Sequence, residues 1–228
     1  MPVKLLRHTP EPDLTIAAAA RLCYSNVSAT QLTEQMSEAQ VAKLLEHVIR
    51  SGHHSTLEHA SFTFAIDGLS RAASHQLVRH RLASYSQQSQ RWVAFDRADY
   101  VTPFSVASRP DLKQAFEEGM QKAFALYRQL LQAGIPAEDA RYVLPNATTT
   151  RLVMTMNARE LLHVCGVRLC QRAQWEIRGL FQEVKAEVER VAPRLGSHLQ
   201  PKCIALGYCD EERESCGLRP LRRDVFPE

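Results

Sequence analysis

Arg79, His80 and Arg81 stand side by side, and a polar, uncharged tract leads from them through Ser84, Ser86, Gln87, Gln88, Ser89 and Gln90 to Arg91. No Asp or Glu occurs from Gly68 to Phe95, although Arg71, Arg79, Arg81 and Arg91 all lie inside that interval. A second acid-free interval, residues 142–158, sits between Arg141 and Arg159 and holds Arg151. Guanidiniums gathered without local carboxylates, flanked by Leu77, Val78, Leu82 and Trp92, point to an anion with several phosphate oxygens. The serine hydroxyls and glutamine amides add neutral donors and acceptors suited to phosphate, ribose and base edges. A solvated basic face is the ordinary reading for isolated arginines, and the apolar flanks argue against it here.

Geometry constrains the cluster. Residues two apart on a helix point about 200° apart, so Arg79 and Arg81 cannot hold one ligand while a helix continues through them. Either the helix ends near Arg79, or the two face different ligands or different subunits.

A second group lies in "GHHSTLEH", where His53, His54 and His59 have offsets that match no standard metal-ligand pattern. A structural loop or a cofactor contact is the better reading, and no metal is expected. In the tail, Cys203, Cys209 and Cys216 are separated by five and then six residues, which is not a CxxC pair. Cys23, Cys165 and Cys170 lie in apolar helical contexts, where a reduced thiol packs as a small hydrophobe. Cys23 has no His or Asp partner nearby in sequence, and Ser89 has no adjacent base, so neither reads as a nucleophile. The chain lacks GxGxxG, GxxxxGK[ST], HExxH and GxSxG patterns.

These residues need elements to position them. "VKLLR" reads as a strand, and "PDLTIAAAARLCYS" as a helix opened by Pro12 and Asp13. Val41, Leu44, Leu45 and Val48 recur at helical spacing over Glu38–Arg50, with Ser37 and Gln40 as a capping box and Gly52 as the stop. Phe62, Phe64 and Ile66 alternate as on a half-buried strand. Leu69, Ala72, Ala73 and Leu77 predict a helix across "LSRAASHQLVRHR", followed by an extended stretch over 84–94 and a loop over 99–110. A long helix is predicted over Leu112–Ala133, ended by Gly134, then a short one from Pro136 to Leu144. "TTTRLVMTMN" is strand-like, and "ARELLHVCGVRLC" and "QWEIRGLFQEVKAEVERV" are helical.

With 228 residues, 45% of them hydrophobic and 23% charged, the chain can bury a sizeable core as an α+β protein. A net charge of +3 is too mild to argue for nucleic acid on bulk charge. No apolar run is long enough to span a bilayer and the N-terminus lacks a signal-type apolar stretch, so a cytoplasmic location is expected. The expected organisation is one domain over 1–201 with an extension over 202–228.

"RHRLASYSQQSQR" resembles the signature of flavin-dependent thymidylate synthases, in which Arg-His-Arg is followed after seven residues by Ser, here Ser89. "SGHHSTLEHASFTF" is similar to that family's His-rich loop and strand, "PAEDARYVLPNATTT" to its Arg-containing turn, and "MNARELLHVCGVRLCQRAQWEI" to its Asn-Ala-Arg helix. The resemblance covers about Gly52 to Ile177. It implies a single mixed α/β domain forming a homotetramer, with FAD at subunit interfaces and deoxyuridylate (dUMP) stacked on it. The implied reaction is methylation of dUMP to dTMP, with methylenetetrahydrofolate as carbon donor and NADPH as reductant. It also implies that His53, Ser55, Arg79, His80, Arg81, Gln87, Asn157, Arg159 and His163 hold the flavin. Gln76, Leu77, Val78, Arg79, Gln87, Gln88, Ser89, Gln90, Arg91 and Arg141 surround dUMP, with Arg168 against the uracil as the catalytic residue. Its guanidinium can bond N3 and a carbonyl oxygen together, favouring the ionised ring. Two further readings stand beside this one. Tyr85 and Trp92 beside the arginines suit single-stranded nucleic acid, and the tail cysteines suit a zinc-dependent regulator. Nucleic acid and membrane are not among the expected partners.

Overall fold

Phe62, Phe64 and Ile66 alternate with Thr63 and Ala65, and in the computed structural model all three are fully buried on one strand. The structure describes residues 1–95 and 97–226, so Pro227 and Glu228 of the expected extension lie outside the described residues. The strands are β1 (Val3–His8), β2 (Ser61–Ser70), β3 (Ala83–Gln87) and β4 (Thr149–Asn157), in the order β1-β2-β4-β3. The sheet is antiparallel. The register of β2 on β4 is pinned by Ala158 N–H donating to Ala60 O at 2.8 Å, Arg71 N–H donating to Thr148 O at 2.9 Å, and the Thr63 and Thr155 hydroxyls 3.0 Å apart. One face of β4 buries Leu152, Met154 and Met156, so the period-two pattern is satisfied on both central strands.

Both central strands run into helices without a loop. β2 is followed by helix Arg71–Leu77, where Ser70 Oγ accepts from Ala73 N–H at 3.0 Å. β4 is followed by helix Ala158–Arg168, where Asn157 Oδ1 accepts from Glu160 N–H at 2.9 Å. Each cap satisfies a backbone donor the first turn leaves open, worth about 1 kcal/mol.

The chain divides into two compact units. One comprises residues Met1–Pro2, Ile66–Arg79 and Tyr85–Val153. Its long helix, Pro110–Gln132, buries Met120, Phe124 and Tyr127. The other comprises Val3–Ala65, His80–Ser84 and the chain from Met154 onward. There helix Pro12–Leu22 packs on helix Glu38–Ser51, and helix Trp175–Glu189 buries Ile177, Leu180, Phe181, Val184 and Val188. Asp13 accepts from the N–H groups of Arg194 and Leu195 at 2.9 and 3.0 Å, capping helix Pro193–His198 from far along the chain. Burial raises the Asp13 carboxyl pKa, and these two bonds oppose the rise.

Most predicted elements form where the spacing places them, including the Ser37/Gln40 capping box and the Gly52 stop. Several features differ, among them the helices Pro193–His198, Lys202–Leu206 and Arg222–Val225, which the spacing does not predict. The helix expected across residues 69–81 ends at Leu77, whose carbonyl accepts the Tyr85 hydroxyl at 3.0 Å rather than continuing an α-helical ladder. The stretch 84–94 is extended only through Gln87, after which Val93 N–H turns back to Ser89 O at 3.1 Å. The predicted loop 99–110 contains a one-turn helix, Phe104–Ala107. An additional helix, Ala29–Gln35, starts from a second capping box made by Ser28 and Gln31.

Candidate active site

Helix Ala158–Arg168 carries Glu160, His163 and Arg168 against His80. Arg168 Nε donates to His80 Nε2 at 2.9 Å. A guanidinium has no acceptor, so a neutral His80 carries its proton on Nδ1, which lies 4.0 Å from Glu160 Oε1. The His163 ring stands nearly edge-on to His80, with centroids 6.4 Å apart. The His80 and Glu160 side chains are only 10% and 6% exposed. Burial, reinforced by the Arg168 and His163 charges, pushes the His80 imidazole down to about 4 from its ordinary 6.5. Burial raises the Glu160 carboxyl, so both shifts oppose a charged His80–Glu160 pair at this separation. Arg168 is therefore held by a neutral acceptor. Its cationic charge is not cancelled by a carboxylate among the described residues, and burial is what lowers its own pKa.

In the same unit, the His-rich stretch forms a turn over His54–His59, anchored by the fully buried Leu57. Glu58 Oε1 meets Arg159 Nη1 at 2.5 Å and ties that turn to the first turn of helix Ala158–Arg168. His53, Ser55, Arg81, Arg159 and His163 are exposed, and Asn157 is half-buried.

In the other unit, Gln87 Nε2 donates to Ser74 Oγ at 3.1 Å and to Thr150 Oγ1 at 3.2 Å, fixing the end of β3. Arg91 Nε lies 2.5 Å from Glu138 Oε2, and Arg141 Nε donates to the Glu138 carbonyl at 3.0 Å. Arg71 feels the Arg141 charge, which together with burial lowers its pKa. Of these three guanidiniums only Arg91 pairs with the Glu138 carboxylate, while Arg141 bonds its backbone carbonyl and Arg71 lies within reach of the Arg141 charge, so positive charge predominates in the group. Ser89 Oγ accepts from Arg91 N–H at 3.1 Å, while Gln76, Gln88, Ser89 and Gln90 are half-buried. Leu77 is fully buried, whereas Val78 and Arg79 are exposed.

The expected residues fall in both units. His53, Ser55, His80, Arg81, Asn157, Arg159, His163 and Arg168 belong to one unit, and Gln76 to Arg79, Gln87 to Arg91 and Arg141 to the other. Helix Arg71–Leu77 stops before Arg79, which is the first of the two geometries open to Arg79 and Arg81. Arg91 is not without a protein anion, because Glu138 reaches it from a distant segment.

A family profile described as thymidylate synthase complementing protein, Thy1, matches residues 4–194. The flavin-dependent thymidylate synthase of Geobacter sulfurreducens is 52% identical over 230 residues, covering 100% of this chain and 99% of its own. The chain belongs to the flavin-dependent thymidylate synthase family. The synthase of the same name from Clostridium tetani is 44% identical, covering 98% of this chain and 96% of its own. The crystal structure of a UMP/dUMP methylase, PolB, from Streptomyces cacaoi bound with 5-Br dUMP shares the fold. Its TM-score is 0.77 at 24% identity, over 86% of this chain and 93% of that one. The family's activity is the methylation of dUMP to dTMP with a flavin cofactor.

For a flavin-dependent thymidylate synthase, the structure adds residues to which the resemblance assigned no role. Arg71 joins the arginine group from the first turn of its helix. Its presence in the acid-free interval was the available signal. Glu138 and Glu160 carry no such signal, because each acts on an arginine or histidine far away in sequence.

Proposed function

We propose that this chain methylates dUMP at C5 with methylenetetrahydrofolate as carbon donor and NADPH as reductant, as a cytoplasmic homotetramer using FAD. The observation that carries the assignment of the catalytic residue is the Arg168–His80 hydrogen bond of 2.9 Å, which orients a guanidinium without neutralising it. The donor set fits a dinucleotide flavin. Exposed His53, Ser55, Arg81 and Arg159, with half-buried Asn157, offer cations and neutral hydrogen-bonding groups for a pyrophosphate and its sugars. FAD, when bound, supplies the hydride that completes the methyl group.

The chain's own residues bind, orient and stabilise charge. Arg168 faces the pyrimidine, and its planar donors favour the ring ionised at N3, which makes C5 nucleophilic. His80 holds that guanidinium in place by accepting at Nε2. Arg71, Arg91 and Arg141 form the cationic pocket for the dUMP phosphate, with Glu138 setting the direction of two of them. Gln76 to Arg79 and Gln87 to Gln90 line the nucleotide, and Gln87 is held rigid by Ser74 and Thr150. C5 gains the carbon and gives up its proton to solvent.

The test is Arg168→Ala. The purified variant is expected to keep its oxidised-flavin absorbance and to lose dTMP formation. Substantial dTMP production by the yellow variant overturns the assignment.

A further inference from the structure

Over residues 202–226 the tail has almost no core of its own. Of its described residues only Cys209 is buried, while Leu206, Leu218, Val225 and Phe226 are exposed. The tail nevertheless forms helix Lys202–Leu206, a β-bridge from Cys209 to Leu221, and helix Arg222–Val225. A segment this poor in buried apolar surface needs a staple to hold one arrangement.

Four of the six cysteines converge there. Cys170 lies just past helix Ala158–Arg168, and Cys203 sits on helix Lys202–Leu206, which packs on that helix. Two ion pairs bracket the group. Lys202 with Asp210 draws the neighbours of Cys203 and Cys209 together, and Arg172 with Glu214 joins residues two away from Cys170 and Cys216. Cys170, Cys209 and Cys216 all lie close enough for charge on their sulfurs to act on Cys203. Gly207, between Cys203 and Cys209, and Gly217, just past Cys216, both take the left-handed backbone conformation. None of the four is in a disulfide.

We propose that Cys170, Cys203, Cys209 and Cys216 bind one structural Zn²⁺ that staples the tail to the end of helix Ala158–Arg168. Four thiolates are the soft, tetrahedral donor set that selects zinc. Among the described residues no three or more His, Cys, Asp or Glu side chains stand in a metal-holding arrangement, so binding requires these four thiols to close further around the cation. In the proposed site the cation draws the four sulfurs in to sulfur–metal distances of about 2.3 Å. Each ligating thiol gives its proton to solvent on binding, so affinity falls as pH is lowered. The five- and six-residue spacings conceal the site, because its fourth ligand comes from far upstream.

The test uses the full-length protein purified under reductant and without chelator. Metal analysis is expected to find about one zinc per chain. Cys170→Ser and Cys216→Ser are expected to reduce it to background, and Cys23→Ser to leave it unchanged. Zinc-stripped wild-type protein titrated with Co²⁺ is expected to develop the charge-transfer and d–d bands of a tetrahedral thiolate site, a readout that needs no variant to fold. The proposal is overturned by wild-type protein that neither contains zinc nor develops those bands. It is equally overturned by iron in place of zinc, by disulfides among these four cysteines under reductant, or by zinc retained in full by both serine variants.

Discussion

Arg168 rests its Nε–H on Nε2 of His80 at 2.9 Å, so the partner of this cation is a buried neutral ring and not a carboxylate. An anionic partner would orient the guanidinium but also spend its charge. A neutral acceptor orients it and leaves the charge for the pyrimidine.

His80→Ala removes that acceptor while keeping Arg168. A fall in kcat of about 10²-fold is expected, the scale of a misplaced catalytic group. Steady-state assays on flavin-loaded variant check it, and an unchanged kcat assigns Arg168's orientation to other contacts.

His80 also makes stability depend on pH. Its folded pKa of about 4 lies below the ordinary 6.5, so the native state disfavours the proton that the unfolded chain takes up. The stabilisation from keeping His80 neutral is complete above about pH 6.5 and declines as pH falls toward 4, by at most about 3 kcal/mol. The raised Glu160 carboxyl acts in the opposite sense, losing stability as pH rises through its titration. Chemical denaturation of wild type and His80→Gln across this range isolates the histidine part. The wild type is expected to lose more stability on acidification than the variant.

Arg141→Ala and Arg71→Ala are each expected to raise the KM for dUMP by about 10–150-fold, the value of a charge-assisted hydrogen bond, with kcat much less affected. Glu138→Gln is expected to change KM far less, because Arg91 and Glu138 are both about half exposed. Titration of KM for dUMP in the three variants separates these cases.

Gly196→Ala tests the packing of helix Pro193–His198 on helix Trp175–Glu189. An added methyl would stand 2.4 Å from Glu189 Cγ and 2.8 Å from its Cα, and the second of these is backbone and cannot swing aside. Destabilisation of about 1–3 kcal/mol is expected, read as a lower Tm with flavin content preserved.

Local rules made much of this legible in the sequence. The Ser37/Gln40 box and the Phe62, Phe64 and Ile66 alternation depend on neighbours within a few residues, and both appear as read. What escaped depends on distant partners. The hydroxyl of Tyr85 ends the helix at Leu77, and Glu138 answers the charge of Arg91 from another segment. The acid-free interval around Arg79 therefore describes the sequence neighbourhood but not the spatial one. Only Arg79 and Arg81 of its four arginines lack an assigned electrostatic neighbour among the described residues. The short helix Ala29–Gln35 escaped for another reason, its single buried residue, Leu32, being too little to show a period.

The absence of any loop between β4 and helix Ala158–Arg168 has a mechanical consequence. Arg168 stands at the far end of eleven helical residues, about 16 Å of rigid rod clamped at its root by a sheet strand and the Asn157 amide. The rod is braced along its length by the His54–His59 turn, helix Trp175–Glu189 and helix Lys202–Leu206, so it moves as one piece and a shift at its root is carried to Arg168. Asn157→Ala should therefore register as aiming error, a drop in turnover out of proportion to the single hydrogen bond removed.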